Sequence, residues 1–236
     1  MLYSNLYVQM ISGMNIFCLD DWVIEAASIL HSKVEEVLLE KGKCSILLTG
    51  GRSGASLYEA WSSKSSFQDL KNIDFYFGDE RCVPFKEPDS NYALVNRTLF
   101  SRGIPPGCNL HRIKADSSDL EGVAMHYAAL LPQQIDVALF GIGDDGHIAS
   151  LFPGSLAIRE KRRRVLPVVT PYKPSIRITI SPLVIKDSDS IFALAPGPKK
   201  AAIFKSLHFD CSATGSEAIP ARLLTRAIWL IEKRYL

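Results

Sequence analysis

Four short clusters of glycine and charged residues each follow an apolar, strand-like run of this 236-residue sequence. Glycine-rich turns expose backbone N–H groups to anions, basic side chains bind phosphate, and a histidine beside carboxylates can move a proton. Because the carboxyl ends of parallel strands lie along one edge of a sheet, we expect the clusters to form one site. The clusters are Gly50-Gly51-Arg52-Ser53-Gly54, Gly78-Asp79-Glu80-Arg81, Gly141-Ile142-Gly143-Asp144-Asp145-Gly146-His147 and Pro196-Gly197-Pro198-Lys199-Lys200.

The first cluster has the composition of a phosphate-binding turn. Gly50, Gly51 and Ser53 would present N–H and hydroxyl groups at the start of a helix, and Arg52 would add a cation. The spacing of a Walker loop and its lysine are missing. A tight turn that merely requires glycine is the alternative interpretation.

Two more basic residues could close around the same anion. Arg177 lies within the strand-like run 176–181, and Lys200 lies at the start of a predicted helix. Either residue alone could equally be a surface side chain whose aliphatic stem packs on the protein.

His147 is the candidate general base, because an imidazole with a carboxylate neighbour can be held in one tautomer and accept a proton from water. Asp144, Asp145 or the more distant Asp79 could be that neighbour. A purely structural histidine is the alternative. A metal site is less favoured, since no HxxxH or HxH pair stands near His147.

Arg81 of the second cluster could clamp an anion or stabilise a developing oxyanion, and backbone N–H groups between Gly141 and Gly146 could do the same. Asp79 could orient a reacting group. A salt-bridged turn formed by Asp79, Glu80 and Arg81 is the alternative.

The third cluster also matches the G-x-G-x-x-G pattern of dinucleotide-binding turns at positions 141–146. Asp144 and Asp145 would place negative charge beside a pyrophosphate, and Pro153 limits any following helix to little more than a turn. A nicotinamide cofactor, with a 2′-phosphate held by basic residues near 161–164, is therefore a disfavoured alternative. We expect no metal and no organic cofactor.

The elements that must position these clusters alternate between strands and helices. Apolar runs predict strands at 44–49, 73–77, 135–140, 176–181, 190–195 and 227–231. Helices are predicted at 20–41, 55–61, 90–102, 118–131 and 198–207, the fourth of them opened by a capping box of Ser118 and Glu121. This alternation predicts an α/β fold with a mainly parallel, Rossmann-like sheet and helices on both faces. No repeat or composition break interrupts it, so we expect a single domain over 1–236.

Composition limits the partners. Lys and Arg number 27 against 25 Asp and Glu, a net charge of +2, which argues against a surface built for nucleic acid or anionic lipid. The basic run 159–164 is interpreted as a solvated loop that could attract an anionic substrate. No apolar stretch predicts a membrane span or a secretory signal. Five scattered cysteines, Cys18, Cys44, Cys82, Cys108 and Cys211, fit a reducing compartment. We expect a soluble cytoplasmic protein, a monomer or small homo-oligomer, acting on a small molecule.

Five segments span about residues 44–205: LTGGRSGASLY, FYFGDERCVPFKEPDSNY, DVALFGIGDDGHIASLFPGS, PSIRITIS and APGPKKAA. In this order they resemble the signature segments of the 6-phosphogluconolactonase family. The related glucosamine-6-phosphate deaminases and isomerases typically carry DEY where this chain has Asp79-Glu80-Arg81, and AFNEP where it has ASLFP. In one departure, Ser53-Gly54 replaces the usual Thr-Pro.

The resemblance implies a hydrolase of carbohydrate metabolism that converts 6-phospho-D-glucono-1,5-lactone to 6-phosphogluconate in the oxidative branch of the pentose phosphate pathway. It implies His147 as the base that activates water, and phosphate binding by the segment Gly50 to Ser53 with Arg177 and Lys200. The alternatives are a deaminase- or isomerase-like sugar-phosphate enzyme, and a non-catalytic sugar-phosphate sensor, which would need the phosphate site but not His147.

Overall fold

The computed structural model describes residues 8–11, 14–208 and 219–236. Cys211 lies outside these residues, as do residues 1–7 and 12–13 of the segment considered as a secretory signal. Cys44, Cys82 and Cys108 are free thiols. Within the described ranges, none of the helices is both long and apolar enough to cross a membrane.

Strands and helices alternate over most of the chain. The strands are β1 (Val8–Ile11), β2 (Met14–Leu19), β3 (Cys44–Leu48), β4 (Ile73–Phe77), β5 (Asp79–Arg81), β6 (Asn109–Leu110), β7 (Ile135–Gly141), β8 (Val165–Val169), β9 (Ile176–Ile180), β10 (Ser188–Ala195) and β11 (Ile228–Glu232). The α-helices are α1 (Trp22–Lys41), α2 (Gly51–Ser63), α3 (Asn91–Thr98), α4 (Leu120–Leu130), α5 (Pro182–Lys186) and α6 (Pro198–His208).

The larger sheet has the strand order β1-β2-β11-β10-β7-β3-β4-β6. Its pairs are parallel except for the hairpin of β1 and β2. Helices α1, α2 and α6 pack against its strands. The predicted α/β class with a mainly parallel sheet is therefore confirmed, while a single domain over 1–236 stays a prediction.

The order in which the chain adds strands to the sheet reverses between β3 and β7. From β3 it crosses to β4 on one side, and from β7 it reaches β10 on the other, although β3 and β7 are direct neighbours. Ligands of open parallel sheets bind in the crevice at such a point, outside the carboxyl ends of the strands. The first and third clusters follow β3 and β7 directly, so the topology places both at this crevice.

A second, antiparallel sheet has the order β5-β9-β8. The expectation that the run 176–181 joins the parallel strands is therefore wrong. A tight turn returns the chain from β8 to β9, and strands joined in this way pair antiparallel. Antiparallel pairing of β5 with β9 then places Arg81 opposite Arg177.

Three helix ends differ from prediction. Helix α2 begins at Gly51 rather than at 55, so most of the first cluster forms its first turn. Helix α3 ends at Thr98, before a turn that continues to Gly103. The capping box of Ser118 is wrong, because the Asp119 carboxylate accepts from the Gly122 N–H at 2.9 Å and caps α4.

Asp136 joins β3 to β7 at the amino ends of these strands. Its Oδ2 accepts from the backbone N–H of Ser45 at 2.8 Å and from the Ser45 hydroxyl at 2.7 Å, and its Oδ1 accepts from Lys41 Nζ at 2.7 Å. Burial raises the pKa of Asp136, but these hydrogen bonds outweigh it and hold the pKa below its ordinary value. The two strands are thus clamped at the edge opposite the crevice.

The basic run 159–164 is partly structural. Arg164 donates to the backbone carbonyls of Leu131 and Pro132 at 3.2 and 2.7 Å, which satisfies acceptors beyond the end of α4. Arg163 bonds Glu160 at 3.1 Å. Lys161 and Arg162 are exposed, in keeping with a solvated loop.

A buried histidine ties α1 to the segment after α2. His31 is 5% exposed; its Nδ1 accepts from the Trp61 indole N–H at 3.1 Å, and its Nε2 lies 2.8 Å from Ser66 Oγ and 3.4 Å from Glu35 Oε1. Because Nδ1 accepts a hydrogen bond, the ring is neutral. Burial lowers the pKa of His31; Glu35 opposes this effect and Lys64 adds to it.

Acid is expected to destabilise the fold through His31. A group whose folded pKa is lowered contributes stability above its unfolded pKa, about 6.5 for histidine, and this stability is lost as pH falls. The free energy of unfolding should therefore decrease from neutral pH to about pH 5, by up to about 1.4 kcal/mol per pH unit from this residue. Urea unfolding across this range should show a flatter slope for His31→Gln, whereas His126→Gln, at an exposed position of α4, should match the wild type. Equal slopes for wild type and His31→Gln would contradict the prediction.

Candidate active site

One cavity of about 400 Å³ opens at the crevice beside β3 and β7. Tyr172, from the turn between β8 and β9, and Arg177 of β9 complete its wall. The structure thus brings residues from all four clusters together, as the sheet topology predicts. Their contributions to the wall are Gly50, Gly51, Arg52, Ser53, Asp79, Arg81, Gly141, Ile142, Gly143, Asp144, Asp145, His147 and Lys200.

His147 is held by one of its two acidic neighbours. Asp145 Oδ1 lies 2.5 Å from His147 Nδ1 and also accepts from the His147 backbone N–H at 3.1 Å. Burial raises the pKa of Asp145, but these bonds outweigh it and hold the pKa below its ordinary value. A carboxylate on Nδ1 fixes the tautomer that carries its proton there, which leaves the Nε2 lone pair to act as a base.

The turn before His147 depends on two glycines. A Cβ atom on Gly143 would lie 2.0 Å from His147 Nδ1, so the imidazole occupies the space that a side chain would need. Gly146 has φ +80°, a left-handed conformation that favours glycine, and a Cβ there would lie 2.1 Å from Ile219 Cγ2. Glycine at position 143 therefore leaves the space that the imidazole fills, and glycine at position 146 permits the left-handed turn directly before it.

The N–H groups of the turn glycines are already used within the protein. Gly141 donates to Thr49 Oγ1 at 3.1 Å, Gly143 to the His147 carbonyl at 2.8 Å, and Gly146 to the Gly143 carbonyl at 2.9 Å. These three N–H groups are therefore occupied, whereas binding of an oxyanion by the other backbone N–H groups between Gly141 and Gly146 stays a prediction. The G-x-G-x-x-G pattern also opens a turn rather than a helix, which removes the dinucleotide interpretation.

Aromatic rings flank His147. Phe152 stacks on the imidazole with 4.1 Å between ring centroids, and the Arg177 guanidinium lies 5.7 Å from the Phe152 centroid on the same ring. The Tyr172 ring is 6.2 Å from His147, and its hydroxyl donates to Asp145 Oδ2 at 3.4 Å. The three rings thus form one cluster, in which Phe152 stacks on the imidazole and lies 5.5 Å from Tyr172, and His147 lines the cavity.

Asp79 faces a different set of partners. It is 4% exposed; its carboxylate accepts from the Ser150 hydroxyl and from Asn91 Nδ2, the latter at 3.1 Å. Arg177 also donates to Ser150 Oγ, at 3.4 Å. Of the three candidate carboxylates, the one bonded to His147 is therefore Asp145, while Asp79 belongs to a buried network with Ser150.

Glu80 anchors the segment that leads into α3. Its carboxylate accepts from the backbone N–H groups of Arg81, Asn91 and Tyr92 at 2.7, 2.8 and 2.8 Å. Burial raises the pKa of Glu80, although these bonds oppose the shift. The residue is thus a structural cap, which leaves its neighbours Asp79 and Arg81 to line the cavity.

The two arginines of the antiparallel sheet are only partly engaged. Arg81 donates to the Asp89 carbonyl at 2.5 Å, while its Nε is buried and finds no partner among the described residues. Arg177 is 5% exposed and donates to the Pro174 carbonyl at 3.0 Å; burial lowers its pKa. Both guanidinium groups line the cavity and leave donors for an anion.

The start of α2 forms another part of the cavity wall. Gly50 is the N-cap and offers no side chain; a Cβ there would lie 2.0 Å from Asn91 Oδ1. Lys200 Nζ donates to Ser53 Oγ, and Arg52 lines the same wall. Burial lowers the pKa of Lys200. A helix N-terminus with two cations beside it is suited to bind phosphate.

Asp144 pairs with a lysine rather than with His147. Its Oδ2 accepts from Lys199 Nζ at 2.7 Å, and this bond holds the pKa of Asp144 below its ordinary value. The predicted role of Asp144 as the partner of the imidazole is therefore not supported by the geometry.

Sequence reasoning missed four residues of this site. Ser150 and Phe152 lie within the ASLFP segment and Asn91 within the SNY segment, so those motifs contained a usable signal. Tyr172 lies outside every motif. Its position follows only from the turn between β8 and β9, where the Thr170 N–H donates to the Ser175 carbonyl at 2.7 Å.

The family model described as glucosamine-6-phosphate isomerases/6-phosphogluconolactonase matches residues 19–230. A 6-phosphogluconolactonase of Streptomyces coelicolor is 30% identical over 225 residues, which cover 88% of this chain and 86% of that one. The 6-phosphogluconolactonase 3 of Saccharomyces cerevisiae is 31% identical over 223 residues, 86% of this chain and 88% of that one.

Solved structures give the same result. The 6-phosphogluconolactonase of Thermotoga maritima matches with a TM-score of 0.78 at 28% identity, covering 92% of this chain and 99% of that one. The enzyme of Trypanosoma brucei matches with a TM-score of 0.80 at 26% identity, covering 93% and 96%. The chain described here therefore belongs to the family of glucosamine-6-phosphate isomerases and 6-phosphogluconolactonases.

Proposed function

We propose that this protein hydrolyses 6-phospho-D-glucono-1,5-lactone to 6-phosphogluconate. The observation that carries the proposal is a cavity lined both by a carboxylate-bound imidazole, His147, and by a phosphate-compatible helix start. Relatives with the name 6-phosphogluconolactonase, at about this chain's length, support the same reaction. The free thiols in the described part of the chain support a reducing compartment, so a cytoplasmic location is part of the proposal.

The chemistry begins at His147. Its Nε2 accepts a proton from water while the water oxygen attacks the lactone carbonyl carbon, and Asp145 stabilises the imidazolium that forms. The tetrahedral intermediate then expels the ring oxygen, which takes the proton from Nε2. One water is added, one C–O bond of the ring is broken, and the imidazole returns to its starting state.

Arg81 is assigned to the oxyanion. Its guanidinium lines the cavity and, among the described residues, bonds only the Asp89 carbonyl, so a developing negative charge would find unused donors. Such a donor is typically worth about 3 kcal/mol in the transition state. Asp79, held by Ser150, is assigned to orienting a sugar hydroxyl.

The phosphate is assigned to the N–H groups at Gly50 and Gly51, the Ser53 hydroxyl, and the cations Arg52, Arg177 and Lys200. These groups and His147 line the same cavity, so binding of the phosphate places the reactive carbonyl of the lactone at the base. Holding two reactants in this way lowers the entropy cost of the reaction.

The direct test supplies the lactone to purified protein and measures 6-phosphogluconate formation with an NADP-coupled dehydrogenase, after subtracting spontaneous opening in buffer. The expected result is turnover of the phosphorylated lactone well above that of glucono-1,5-lactone, which lacks the phosphate. Ammonia release from glucosamine-6-phosphate in a parallel assay would favour the deaminase interpretation instead. Binding of 6-phosphogluconate without any turnover would favour a sensor.

Replacing Lys200 by methionine is expected to weaken substrate binding more than it slows the chemical step. Loss of one charge-assisted hydrogen bond should raise KM about 10- to 100-fold and leave kcat within a few-fold. Steady-state kinetics check this, with Lys205→Met, at an exposed position of the same helix, as the matched control. An unchanged KM for Lys200→Met would refute the phosphate assignment.

A further inference from the structure

The phosphate end of the cavity contains a carboxylate that the proposed mechanism does not use. Asp144 lines the same wall as Arg52 and Lys200, two of the cations assigned to phosphate. Its Oδ2 accepts from Lys199 Nζ at 2.7 Å, and the Lys199 and Asp144 side chains are 75% and 55% exposed. Because the imidazole is bonded to Asp145, Asp144 has no assigned role in the reaction.

Asp144 is anionic near neutral pH, since Lys199, Lys200 and Arg52 together hold its pKa below the ordinary value. A fixed negative charge among these cations opposes the entry of a phosphate dianion, because like charges repel at short range. Lys199 reduces that opposition, since its ammonium neutralises the carboxylate directly. The same carboxylate also interacts with the buried Lys200 ammonium. It therefore partly neutralises the positive charge that would attract the phosphate.

We infer that Asp144 and Lys199 set the affinity of this site for sugar phosphates, an inference that rests on the proposed function. Asp144 is an internal counter-ion that competes with the phosphate of the ligand for Arg52 and Lys200. Lys199 limits the competition by pairing with Asp144. The pair therefore tunes binding without touching the reacting atoms, and its effect increases with the negative charge of the ligand.

The inference gives opposite signs for the two single variants. In calorimetric titration of the full chain at low ionic strength, Asp144→Asn should tighten binding of 6-phosphogluconate about three- to tenfold. Lys199→Met should weaken it by a similar factor, because Asp144 then faces Arg52 and Lys200 without its partner. In the double variant the loss of Lys199 should have a smaller effect, because the carboxylate is gone. All factors should shrink in high salt, since both side chains are exposed.

Asp20→Asn is the matched control. Asp20 forms a comparable exposed pair with Lys233 at 3.3 Å and does not line the cavity, so this variant should bind like the wild type. Unchanged or weaker binding by Asp144→Asn would overturn the inference. A loss of kcat as large as that of His147→Gln would also overturn it, because it would assign Asp144 to the base. A wild-type protein that neither binds 6-phosphogluconate nor hydrolyses the lactone would overturn the proposed function itself.

Discussion

Replacing His147 by glutamine is expected to lower kcat for the phosphorylated lactone by about 10²- to 10⁴-fold, the usual contribution of a positioned general base. Glutamine can still bond Asp145, but its amide cannot accept a proton from water near neutral pH. The KM should change little, because the residues assigned to phosphate are untouched. The coupled 6-phosphogluconate assay checks the prediction, provided that the spontaneous rate is subtracted at each substrate concentration.

Two observations decide how the His147 result is interpreted. An unchanged midpoint of thermal unfolding would show that the loss of rate is chemical rather than a loss of folded protein. Wild-type turnover by His147→Gln would remove the imidazole from the mechanism and leave positioning by the phosphate as the main source of acceleration.

The variant Gly143→Ala tests the same base without altering any group that reacts. An ideal Cβ at this position lies 2.0 Å from His147 Nδ1 and 2.8 Å from Asp145 Oδ1, so the pair must shift to admit a methyl group. A displacement of about 1 Å at a catalytic group can cost about 100-fold in rate, and we expect a loss of kcat of that order. Steady-state kinetics with the phosphorylated lactone measure it.

Gly78→Ala is the matched control for Gly143→Ala. Gly78 also lies directly after a strand of the parallel sheet, but a Cβ there would meet the Leu48 carbonyl at an ordinary 3.5 Å. It should therefore keep nearly full activity. Full activity of Gly143→Ala as well would mean that the base does not need the position described for His147.

Most of the parallel sheet could be predicted from the sequence because its strands are buried. Every residue of β3 is buried, and the core of β7 is buried as well, so both appear as short apolar runs rather than alternating ones. A glycine cluster directly after such a run could be placed at the carboxyl edge without further information.

The antiparallel sheet could not be predicted in the same way. Strand β5 consists of Asp79, Glu80 and Arg81, which have no apolar pattern, and β8 contains Pro167, which argues against a strand. The pairing of β5 with β9 also joins residues far apart in sequence. Helix α5, in contrast, was missed although Ser181 and Pro182 form an ordinary helix-start signal.

The sequence also could not show which aspartate bonds the His147 imidazole. Asp144 and Asp145 are adjacent, and spacing alone favours neither. The turn decides, because the hydrogen bond from the Gly143 N–H to the His147 carbonyl folds the backbone so that Asp145 reaches the imidazole, while Asp144 turns toward Lys199.

The Asp136 clamp between β3 and β7 places stabilising hydrogen bonds at one end of the two strands and the reactive groups at the other. Its hydrogen bonds to Ser45 and Lys41 lie at the edge where the strands begin, whereas every group assigned to the reaction lies where they end. Substitutions that alter ligand specificity can therefore accumulate at the edge where the strands end, while the hydrogen bonds at the other edge keep the strands aligned. The residues that bind the substrate can therefore change while the pairing of β3 with β7 is kept.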